Sequence, residues 1–343
     1  MDKRVIFSVA GSGKTTYIVD SLSKNKRSLI VTYTQGNYQN LCQKISKKFG
    51  LWPDNVFVMT YFKFLYNFCY KPLLSDETKA KGIIYPNKIE RSWATKENDE
   101  FYLSKDRYFY HNRLAFYIEN RAGIDAVIHR LEKYFDEFII DEVQDIAGRD
   151  FNFLEKIMAA NMDMLFVGDF YQHTFDTSRD GTVNKSLFDD FGKYEKRFVR
   201  RGFYSDKDTL KKSWRCSPCV CKFVTDQLGI EMSSNRNMSD DKNSIVRIED
   251  LVHIKDILGD ESIVKLHLRM SYNWGITHRN WGDVKGEDNH QDICVVLNKG
   301  TAEKYAKGLL YELPPITRNK FYVALTRAHG KVFLIDERLI LRQ

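Results

Sequence analysis

A glycine-rich turn near the start of the chain has the composition of a phosphate-binding loop. It runs Ala10-Gly11-Ser12-Gly13-Lys14-Thr15-Thr16 and follows a short apolar segment. The two glycines let the backbone wrap around a phosphate chain and direct its N–H groups inward. Lys14 would reach the β- and γ-phosphates, and Thr15 would bind Mg²⁺. Ser8 stands where the full pattern has its first glycine, so the segment alone predicts a nucleotide site and leaves an ordinary strand–turn–helix open. The candidate nucleotide ligands are the residues from Gly11 to Thr16.

An acidic pair further along the chain supplies the complementary chemistry. The apolar run Phe138-Ile139-Ile140 leads directly into Asp141-Glu142-Val143-Gln144-Asp145. Downstream of a phosphate-binding loop, two acids at the end of a strand are what Mg²⁺-dependent hydrolysis of a nucleoside triphosphate needs. Asp141 would hold the metal, and Glu142 would act as general base on the attacking water.

The elements that must position these residues follow from the hydrophobic pattern. Short apolar runs alternate with helical segments, which predicts an α/β fold with a parallel sheet flanked by helices. The predicted strands are 5–9, 28–32, 56–60, 137–141, 164–168, 293–297 and 331–335. The predicted helices are 14–23, 37–49, 151–160 and 319–328, and the aromatic-rich stretch 66–133 is expected to be mostly helical.

The composition is that of a globular protein with room for two or three domains. The chain has 343 residues, of which 43% are hydrophobic and 29% are charged. No apolar run approaches the roughly 18 residues that cross a bilayer, and no signal peptide is recognisable, so we expect a cytoplasmic protein. The six cysteines lack disulfide spacing. They are expected to be reduced thiols, with a metal site at Cys216, Cys219 and Cys221 as the less favoured alternative.

The positive charge is concentrated in one window. The net charge is +7, and residues 193–222 alone contain ten Lys or Arg and three acidic residues, a difference of seven. Aromatic residues are interleaved with these charges. Basic side chains suit phosphates and aromatic rings suit stacked bases, so the window is a candidate nucleic-acid surface. A solvated basic surface explains the composition equally well.

With the acidic motif in view, the chain resembles superfamily 1 helicases of the UvrD/Rep type. Their Asp-Glu-x-Gln-Asp motif matches residues 141–145 in full, and further motifs follow in the family's order. The further matches are Thr32-Tyr33-Thr34, Thr60-Tyr61-Phe62-Lys63-Phe64, Gly168-Asp169-Phe170-Tyr171-Gln172, Ser213-Trp214-Arg215, Val284-Lys285-Gly286-Glu287-Asp288 and Tyr322-Val323-Ala324-Leu325-Thr326-Arg327-Ala328. The resemblance implies two RecA-like domains, 1–204 and 205–343, with a reduced helical insert at about 66–133 in the first.

The resemblance also implies roles for individual residues. Gln172 would sense the γ-phosphate and link it to the nucleic-acid site. Arg215 and Arg327 would contact the γ-phosphate from the second domain, Arg327 as an arginine finger, and Asp288 would contribute to nucleotide binding. The residues expected to contact single-stranded nucleic acid are Thr34, Thr60, Tyr61, Phe64, Phe175 and Trp214.

These matches predict an ATP-dependent helicase or translocase that moves on single-stranded or tailed duplex DNA, 3′ to 5′, powered by Mg²⁺-dependent ATP hydrolysis. We expect a monomeric motor, with a nuclease or a replication or repair factor as a possible protein partner. The alternative is a nucleotide-gated DNA-binding subunit that acts with such a partner and does not unwind. A small-molecule kinase has only the phosphate-binding loop in its favour.

The chain departs from the family pattern in three places. No adenine-reading segment precedes the phosphate-binding loop, which leaves the preference for ATP open. Thr177 stands where the family has a stacking tryptophan, and Glu287-Asp288 stands where it has Leu-Glu. The accessory insertions are short, so the chain resembles a near-minimal motor of the kind that occurs in phage genomes and defence loci.

Overall fold

Two units, each built on its own sheet, make up the chain. The computed structural model describes residues 2–86, 89, 93–174, 180–237, 244–275 and 277–341. The first unit comprises Met1–Ile6, Thr15–Gly168 and Asp176–Asp206, and the second comprises Phe7–Lys14, Asp169–Phe175 and Lys207–Gln343. Residues 10–14 of the phosphate-binding loop and residues 169–172 of the Gly-Asp-x-x-Gln segment therefore group, by their contacts, with the second unit.

The sheet of the first unit has the strand order β3-β2-β6-β7-β1-β8. Strand β2 pairs in parallel with both β3 and β6, and β6 pairs in parallel with β7. A separate two-stranded parallel sheet joins β4 to β5. The strands are β1 (Lys3–Phe7), β2 (Ser28–Thr32), β3 (Val56–Thr60), β4 (Gly82–Ile84), β5 (Tyr108–Tyr110), β6 (Glu137–Asp141), β7 (Asp163–Gly168) and β8 (Tyr204–Asp206).

Helices connect these strands, and between β3 and β6 they form most of the insert. The helices are α1 (Lys14–Ser21), α2 (Gln35–Phe49), α3 (Tyr61–Lys63), a π-helix (Phe64–Tyr70), α4 (Lys71–Thr78), α5 (Asp99–Tyr102), α6 (Leu114–Arg121), α7 (Ile124–Tyr134), α8 (Gly148–Ile157) and α9 (Phe191–Val199). Short 3₁₀ turns lie at His111–Arg113, Val143–Asp145 and Phe170–Gln172. Helices make up most of the described residues between 66 and 133, the stretch expected to be mostly helical.

Local sequence explains the best-defined of these elements. All five residues of β2, Ser-Leu-Ile-Val-Thr, are buried, as expected for a strand with a neighbour on each side. At the start of α2 the Thr34 hydroxyl accepts a hydrogen bond from the backbone N–H of Asn37 at 3.2 Å. The helix ends at Gly50, which has φ +79° and donates its N–H to the Ser46 carbonyl. Such a left-handed terminus favours glycine.

The first predicted strand is displaced in the structure. Residues 5–9 were expected, whereas β1 spans Lys3–Phe7. The backbone leaves the sheet after Phe7, and the Val9 N–H donates instead to the Leu210 carbonyl at 3.1 Å. Val9 and Ala10 are buried in the core of the second unit, which explains why their apolar character does not mark a strand.

The second unit has an entirely parallel sheet with the order β11-β15-β14-β12-β13. Its elements are β9 (Lys212–Ser213), α10 (Pro218–Leu228), β10 (Ser233–Ser234), β11 (Ile245–Ile248), α11 (Leu251–Gly259), β12 (Val264–His267), β13 (His278–Asn280), β14 (Ile293–Leu297), α12 (Lys299–Ala306), α13 (Pro315–Leu325), β15 (Val332–Asp336) and α14 (Glu337–Ile340). Strands β9 and β10 form a separate parallel pair. Both units confirm the predicted α/β class with parallel sheets flanked by helices.

Alternate residues of β14 are buried on opposite faces of the sheet. Ile293, Val295 and Leu297 belong to a large core with α10 and α13, whereas Cys294 and Val296 pack against α11. A strand whose two faces are both covered reads as a continuous apolar run, here Ile-Cys-Val-Val-Leu. Two layers of helix therefore enclose this sheet.

In the basic window, residues 193–222, several aromatic side chains are buried and several basic side chains form ion pairs. Tyr194, Phe198 and Phe203 are buried among other aromatic rings. Tyr194 and Phe198 lie four residues apart on α9, so the aromatic face packs inward and the basic face points outward. Among the described residues, at least five of the ten basic side chains make ion pairs, namely Arg197, Arg201, Lys211, Arg215 and Lys222. The interleaved aromatic residues thus mark an amphipathic helix more than a base-stacking surface, although Tyr204 and Trp214 are exposed.

Two cysteines of the Cys216-x-x-Cys219-x-Cys221 cluster are buried, and burial raises the pKa of both the Cys216 and Cys221 thiols. In the part of the chain that the structure describes, no three His, Cys, Asp or Glu side chains form a cluster suited to a metal ion. Within the same residues, none of the helices has the length and apolar character needed to cross a bilayer.

A buried histidine, His267, pairs with the half-buried His278 in the second unit. His267 Nε2 lies 2.7 Å from His278 Nδ1, and the Trp274 ring stacks on His267 at 5.0 Å. Burial, with the neighbouring His278, lowers the pKa of His267 to about 4. Since the unfolded value is near 6.5, the unfolded chain binds more protons between these values, and stability falls as the pH drops through this range.

We expect this residue to contribute up to about 3 kcal/mol of the acid sensitivity, because its pKa is about 4 in the folded chain and near 6.5 in the unfolded chain. Urea unfolding of His267→Gln at pH 4.5 and pH 7 should show a smaller difference in unfolding free energy than the parent chain shows. His253→Gln is the matched control, because the His253 side chain is 72% exposed. A parent-like pH difference in His267→Gln would contradict the assignment.

Candidate nucleotide-binding site

The phosphate-binding loop has the backbone expected of a phosphate cradle. Gly11 and Gly13 have φ of +69° and +88°, in the region that favours glycine. The Ser12 hydroxyl is buried and has no hydrogen-bond partner among the described residues. Helix α1 begins at Lys14, so its N-terminal N–H groups follow the turn directly. The left-handed glycines and the Ser12 hydroxyl are both suited to binding phosphate oxygens.

The acidic pair lies at the carboxyl end of a strand of the first sheet. In the first sheet, β7 lies between β1 and β6. The phosphate-binding loop follows the carboxyl end of β1, and Asp141 is the last residue of β6. In parallel α/β sheets, ligands bind at the carboxyl edge of the strands. The predicted metal ligand Asp141 is 1% exposed.

Glu142 is held in an unusual backbone conformation. Its φ and ψ are +59° and +50°, which a non-glycine residue rarely adopts. Its carboxylate accepts a hydrogen bond from Gln144 Nε2. A Cβ added at Gly168, at the end of β7, would come within 2.3 Å of Gln144 Oε1 and 2.8 Å of Val143 Cγ1. The glycine therefore lets β7 pass close to the acidic turn, and backbone strain of this kind is often kept at functional sites.

The phosphate-binding loop packs against the Ser213-Trp214-Arg215 turn within the second unit. The Trp214 N–H donates to the Gly11 carbonyl at 2.9 Å. A Cβ on Gly11 would lie 2.7 Å from Arg215 Cβ and 2.8 Å from Ser213 Oγ. The Trp214 side chain is 68% exposed, and its Cδ1 lies 3.9 Å from where a Cβ of Gly13 would stand. Trp214 therefore lies beside the phosphate-binding loop. The sequence predicted a contact of this residue with nucleic acid and no position beside this loop.

Arg215 and Asp288 form an ion pair. Arg215 Nη1 also donates to the Thr326 carbonyl at 3.1 Å, and His329 Nε2 lies 3.2 Å from the Asp288 carboxylate. Burial opposes ionisation of Asp288, but the hydrogen bond and charge of Arg215 outweigh it and lower the pKa of this carboxyl. Asp288 thus contacts the predicted catalytic arginine directly.

Arg327 lies two residues after the end of α13 and is buried, with 2% exposure. Its Nε donates to the Val323 carbonyl at 3.2 Å, and its Nη1 donates to the Glu287 carbonyl at 3.1 Å. Burial and the nearby charge of Arg215 lower the pKa of Arg327 to about 10. The guanidinium still carries its charge at neutral pH, and Arg215 and Arg327 form one positively charged region of the second unit.

A chain of buried hydrogen bonds joins the loop to Gln172. The Ala10 N–H donates to the Tyr322 hydroxyl at 2.8 Å, and that hydroxyl donates to Asp169 Oδ2 at 2.9 Å. The same oxygen accepts from Gln172 Nε2 at 2.9 Å. Gln172 is 3% exposed and Asp169 is fully buried. Tyr322 lay inside a matched motif, but the sequence assigned it no role, since only packing shows where its hydroxyl points.

The predicted nucleic-acid contacts of the first unit are partly corrected. Thr34 is exposed and caps α2, and Thr60 is half-buried at the end of β3. Tyr61 and Phe64 are 2% and 1% exposed, and Phe64 packs on Phe68 and Phe138. Rings buried in this way offer no face to a base, so stacking on Tyr61 or Phe64 does not fit the structure. Phe175 and Thr177 lie outside the described residues.

A row of aromatic rings, not recognised from the sequence, lies beside those buried residues. It consists of Tyr33, Phe62, Tyr85 and His111. The Tyr33 and Phe62 centroids are 5.6 Å apart, Phe62 and Tyr85 are 5.3 Å apart, and Tyr85 stacks on His111 at 5.0 Å. Tyr85 is 59% exposed. Tyr33 and Phe62 lie within matched motifs, whereas the insert contributes Tyr85 and His111, which no local pattern connects to them.

No protein-family model matches the sequence, and no curated protein sequence is detectably similar to it. Solved structures do match. The helicase of the arterivirus PRRSV aligns with 99% of this chain and 53% of its own, at 13% identity and a TM-score of 0.51. Arterivirus nonstructural protein 10, a helicase solved in complex with DNA, aligns with 98% of this chain and 62% of its own, at 13% identity and a TM-score of 0.52.

The chain therefore spans between half and two thirds of the length of these helicase structures. At this identity the comparison concerns the fold, and it agrees with the two parallel sheets described above. The chain therefore has an α/β fold, with parallel sheets flanked by helices, that is similar to the fold of these helicase structures.

Proposed function

We propose that this protein is a nucleic-acid-stimulated ATPase that moves along single-stranded DNA as a 3′-to-5′ helicase or translocase of the UvrD/Rep type. The observation that supports this most strongly is the phosphate-binding loop with its two left-handed glycines, together with the acidic pair Asp141 and Glu142 at the carboxyl end of β6. The matched motifs and the fold shared with viral helicases, one of them solved with DNA, add to it.

Each residue around the loop would have a separate role in phosphoryl transfer. Lys14 would bind the β- and γ-phosphates, with the N–H groups of the turn around them, and Thr16 would flank them at the start of α1. Thr15 and Asp141 would hold a Mg²⁺ ion, which when bound supplies charge stabilisation to the phosphates. Glu142 would accept the proton of the attacking water.

The arginines of the second unit would stabilise the charge that develops on the γ-phosphoryl group. The side chains of Arg215 and Arg327 are both guanidinium groups, and a preorganised cation near a developing oxyanion lowers the barrier most where water is excluded. Because the Asp288 carboxylate already pairs with Arg215, we assign Asp288 the role of holding this arginine rather than binding nucleotide directly. A phosphate oxygen would then compete with Asp288 for the guanidinium.

Trp214 is better placed to contact the nucleotide than the DNA. Its exposed indole lies beside Gly13, and every nucleobase has a π-face on which an aromatic ring can stack. Stacking of this kind is tolerant of base identity, so the proposed ATPase would accept other purine nucleoside triphosphates.

The row Tyr33-Phe62-Tyr85-His111 is proposed as the base-stacking surface of the first unit. Replacing Tyr85 by alanine removes its exposed ring and is expected to weaken binding of a fluorescent oligo-dT by about tenfold, since one stacked base contributes ~1–3 kcal/mol. Tyr134→Ala, which removes another exposed ring of the same unit, is the matched control. Equal affinities of the two variants would exclude Tyr85 from the surface.

ATP hydrolysis measured with and without single-stranded DNA tests the proposal. Strong stimulation by DNA is expected, and an unchanged rate would contradict a nucleic-acid motor. Strand displacement from 3′-tailed and 5′-tailed duplexes, measured beside it, is expected on the 3′-tailed substrate only.

The second candidate is a DNA-binding ATPase subunit that does not unwind. The helicase structures align over only 53% and 62% of their own chains, so the shared fold does not by itself carry their unwinding activity over to this chain. DNA-stimulated hydrolysis without displacement of either duplex would support this candidate over the first.

A further inference from the structure

The buried hydrogen bonds around Asp169 determine which end of the Gln172 amide, the NH₂ group or the carbonyl oxygen, faces away from Asp169. Asp169 Oδ2 accepts from both Gln172 Nε2 and the Tyr322 hydroxyl at 2.9 Å, and its Oδ1 accepts from the Tyr171 N–H at 3.1 Å. An ionised carboxylate only accepts hydrogen bonds, so the NH₂ group of Gln172 must face it. The carbonyl oxygen Oε1 is consequently turned away from Asp169.

The direction of the Tyr322 hydroxyl is set in the same way. The Ala10 N–H can only donate, so the phenol oxygen accepts from it and directs its own proton to Asp169. Burial, reinforced by the Asp169 charge, raises the pKa of the Tyr322 phenol, so the group remains a donor at neutral pH. Each bond in the chain therefore has one possible polarity.

Helix α13 holds the Gly-Asp-x-x-Gln segment at a second point. Asn319, three residues before Tyr322 and on the same face of the helix, donates its Nδ2 hydrogen to the His173 carbonyl at 3.0 Å. The segment from Asp169 to His173 is thus tied to the helix that leads into Arg327. A shift of α13 would move the segment that contains Gln172, because the hydrogen bonds from Tyr322 to Asp169 and from Asn319 to His173 connect the two.

We propose that Tyr322 and Asp169 are positioning residues that lock Gln172 with its carbonyl oxygen toward the reaction, where it orients the attacking water. This rests on the proposed ATPase function. An acceptor oxygen attracts the hydrogen of a water molecule and repels the oxygens of a γ-phosphate, so the locked amide suits water and not phosphate. Gln172 then differs from the γ-phosphate sensor that the family resemblance implies.

Tyr322→Phe removes one hydroxyl and keeps the ring, and it is the central test. With Gln172 free to rotate, kcat of DNA-stimulated ATP hydrolysis should fall about tenfold, while KM for ATP and the affinity for oligo-dT stay within about twofold. Tyr311→Phe is the matched control, because Tyr311 is 50% exposed in the same unit. Asp169→Asn, which replaces the obligate acceptor by an amide that can also donate, should lower kcat in the same way.

A double-mutant cycle separates positioning from general damage. If Tyr322 acts through Gln172, the double variant Tyr322→Phe/Gln172→Ala should hydrolyse ATP no more slowly than Gln172→Ala alone. Additive losses, a rise in KM or parent-like kcat in Tyr322→Phe would each overturn the proposed lock. Absence of ATP hydrolysis in the parent chain would instead refute the proposed function, and the lock with it.

Discussion

Replacing Lys14 by alanine is expected to abolish nucleotide hydrolysis. This residue is 9% exposed at the first position of α1, directly after the left-handed Gly13. In the proposed function it is the side-chain cation that binds the phosphates. Without it, the phosphate chain loses its main opposing charge both in the bound state and as the bond to the γ-phosphoryl group breaks. We expect kcat/KM for ATP to fall by at least about a thousandfold.

The measurement is steady-state hydrolysis at saturating single-stranded DNA, with nucleotide affinity from a fluorescent ATP analogue. Lys24→Ala is the matched control, since Lys24 is an exposed lysine beyond the same helix. Thermal unfolding of both variants should be close to that of the parent chain. A Lys14→Ala protein that hydrolyses ATP at the parent rate would refute the assignment of this loop.

Glu142→Gln is expected to separate nucleotide binding from hydrolysis. The substitution keeps the shape of the side chain, and its amide oxygen can still accept the hydrogen bond from Gln144 Nε2. It removes the carboxylate that would take the proton of the attacking water, so kcat should fall by about 10²–10⁴ while ATP still binds. The variant should accumulate ATP-bound protein on DNA.

Equilibrium binding of the fluorescent analogue and single-turnover hydrolysis distinguish these two effects. Glu77→Gln, which neutralises an exposed carboxylate of the same unit, serves as the control. Loss of nucleotide binding in Glu142→Gln would place this residue among the ligands and contradict its role as base. Parent-like hydrolysis would exclude it from the reaction.

Local chemistry was sufficient to predict most of the framework. Strands 28–32, 137–141 and 293–297 lie where the apolar runs place them, because a buried parallel strand needs a continuous run of side chains that pack on both faces. Strand 56–60, at the edge of the first sheet, also lies at its predicted position. The phosphate-binding turn was recognisable for a related reason. Its left-handed backbone requires glycine, and a requirement of that kind is visible in the sequence.

Prediction from the sequence was weakest where one residue type serves two purposes. An aromatic residue suits a core as well as a base-stacking surface, and nothing local distinguishes Phe64, which is buried, from Tyr85, which is exposed. The same ambiguity affected residues 193–222, where the spacing of Tyr194 and Phe198 reflects one face of α9. Burial depends on which elements pack together, and that is a tertiary property.

The residue types alone establish the chemistry available to this protein: a lysine on a glycine turn, an acidic pair after a strand, and two arginines far along the chain. How those groups are held follows from tertiary packing. Packing pairs Arg215 with Asp288, sets Trp214 beside the phosphate-binding loop, and joins Ala10, Tyr322, Asp169 and Gln172 in one hydrogen-bonded chain. A hydrogen bond depends on position and direction, and partners as far apart in the sequence as Ala10 and Tyr322 acquire both only when the sheets and helices pack.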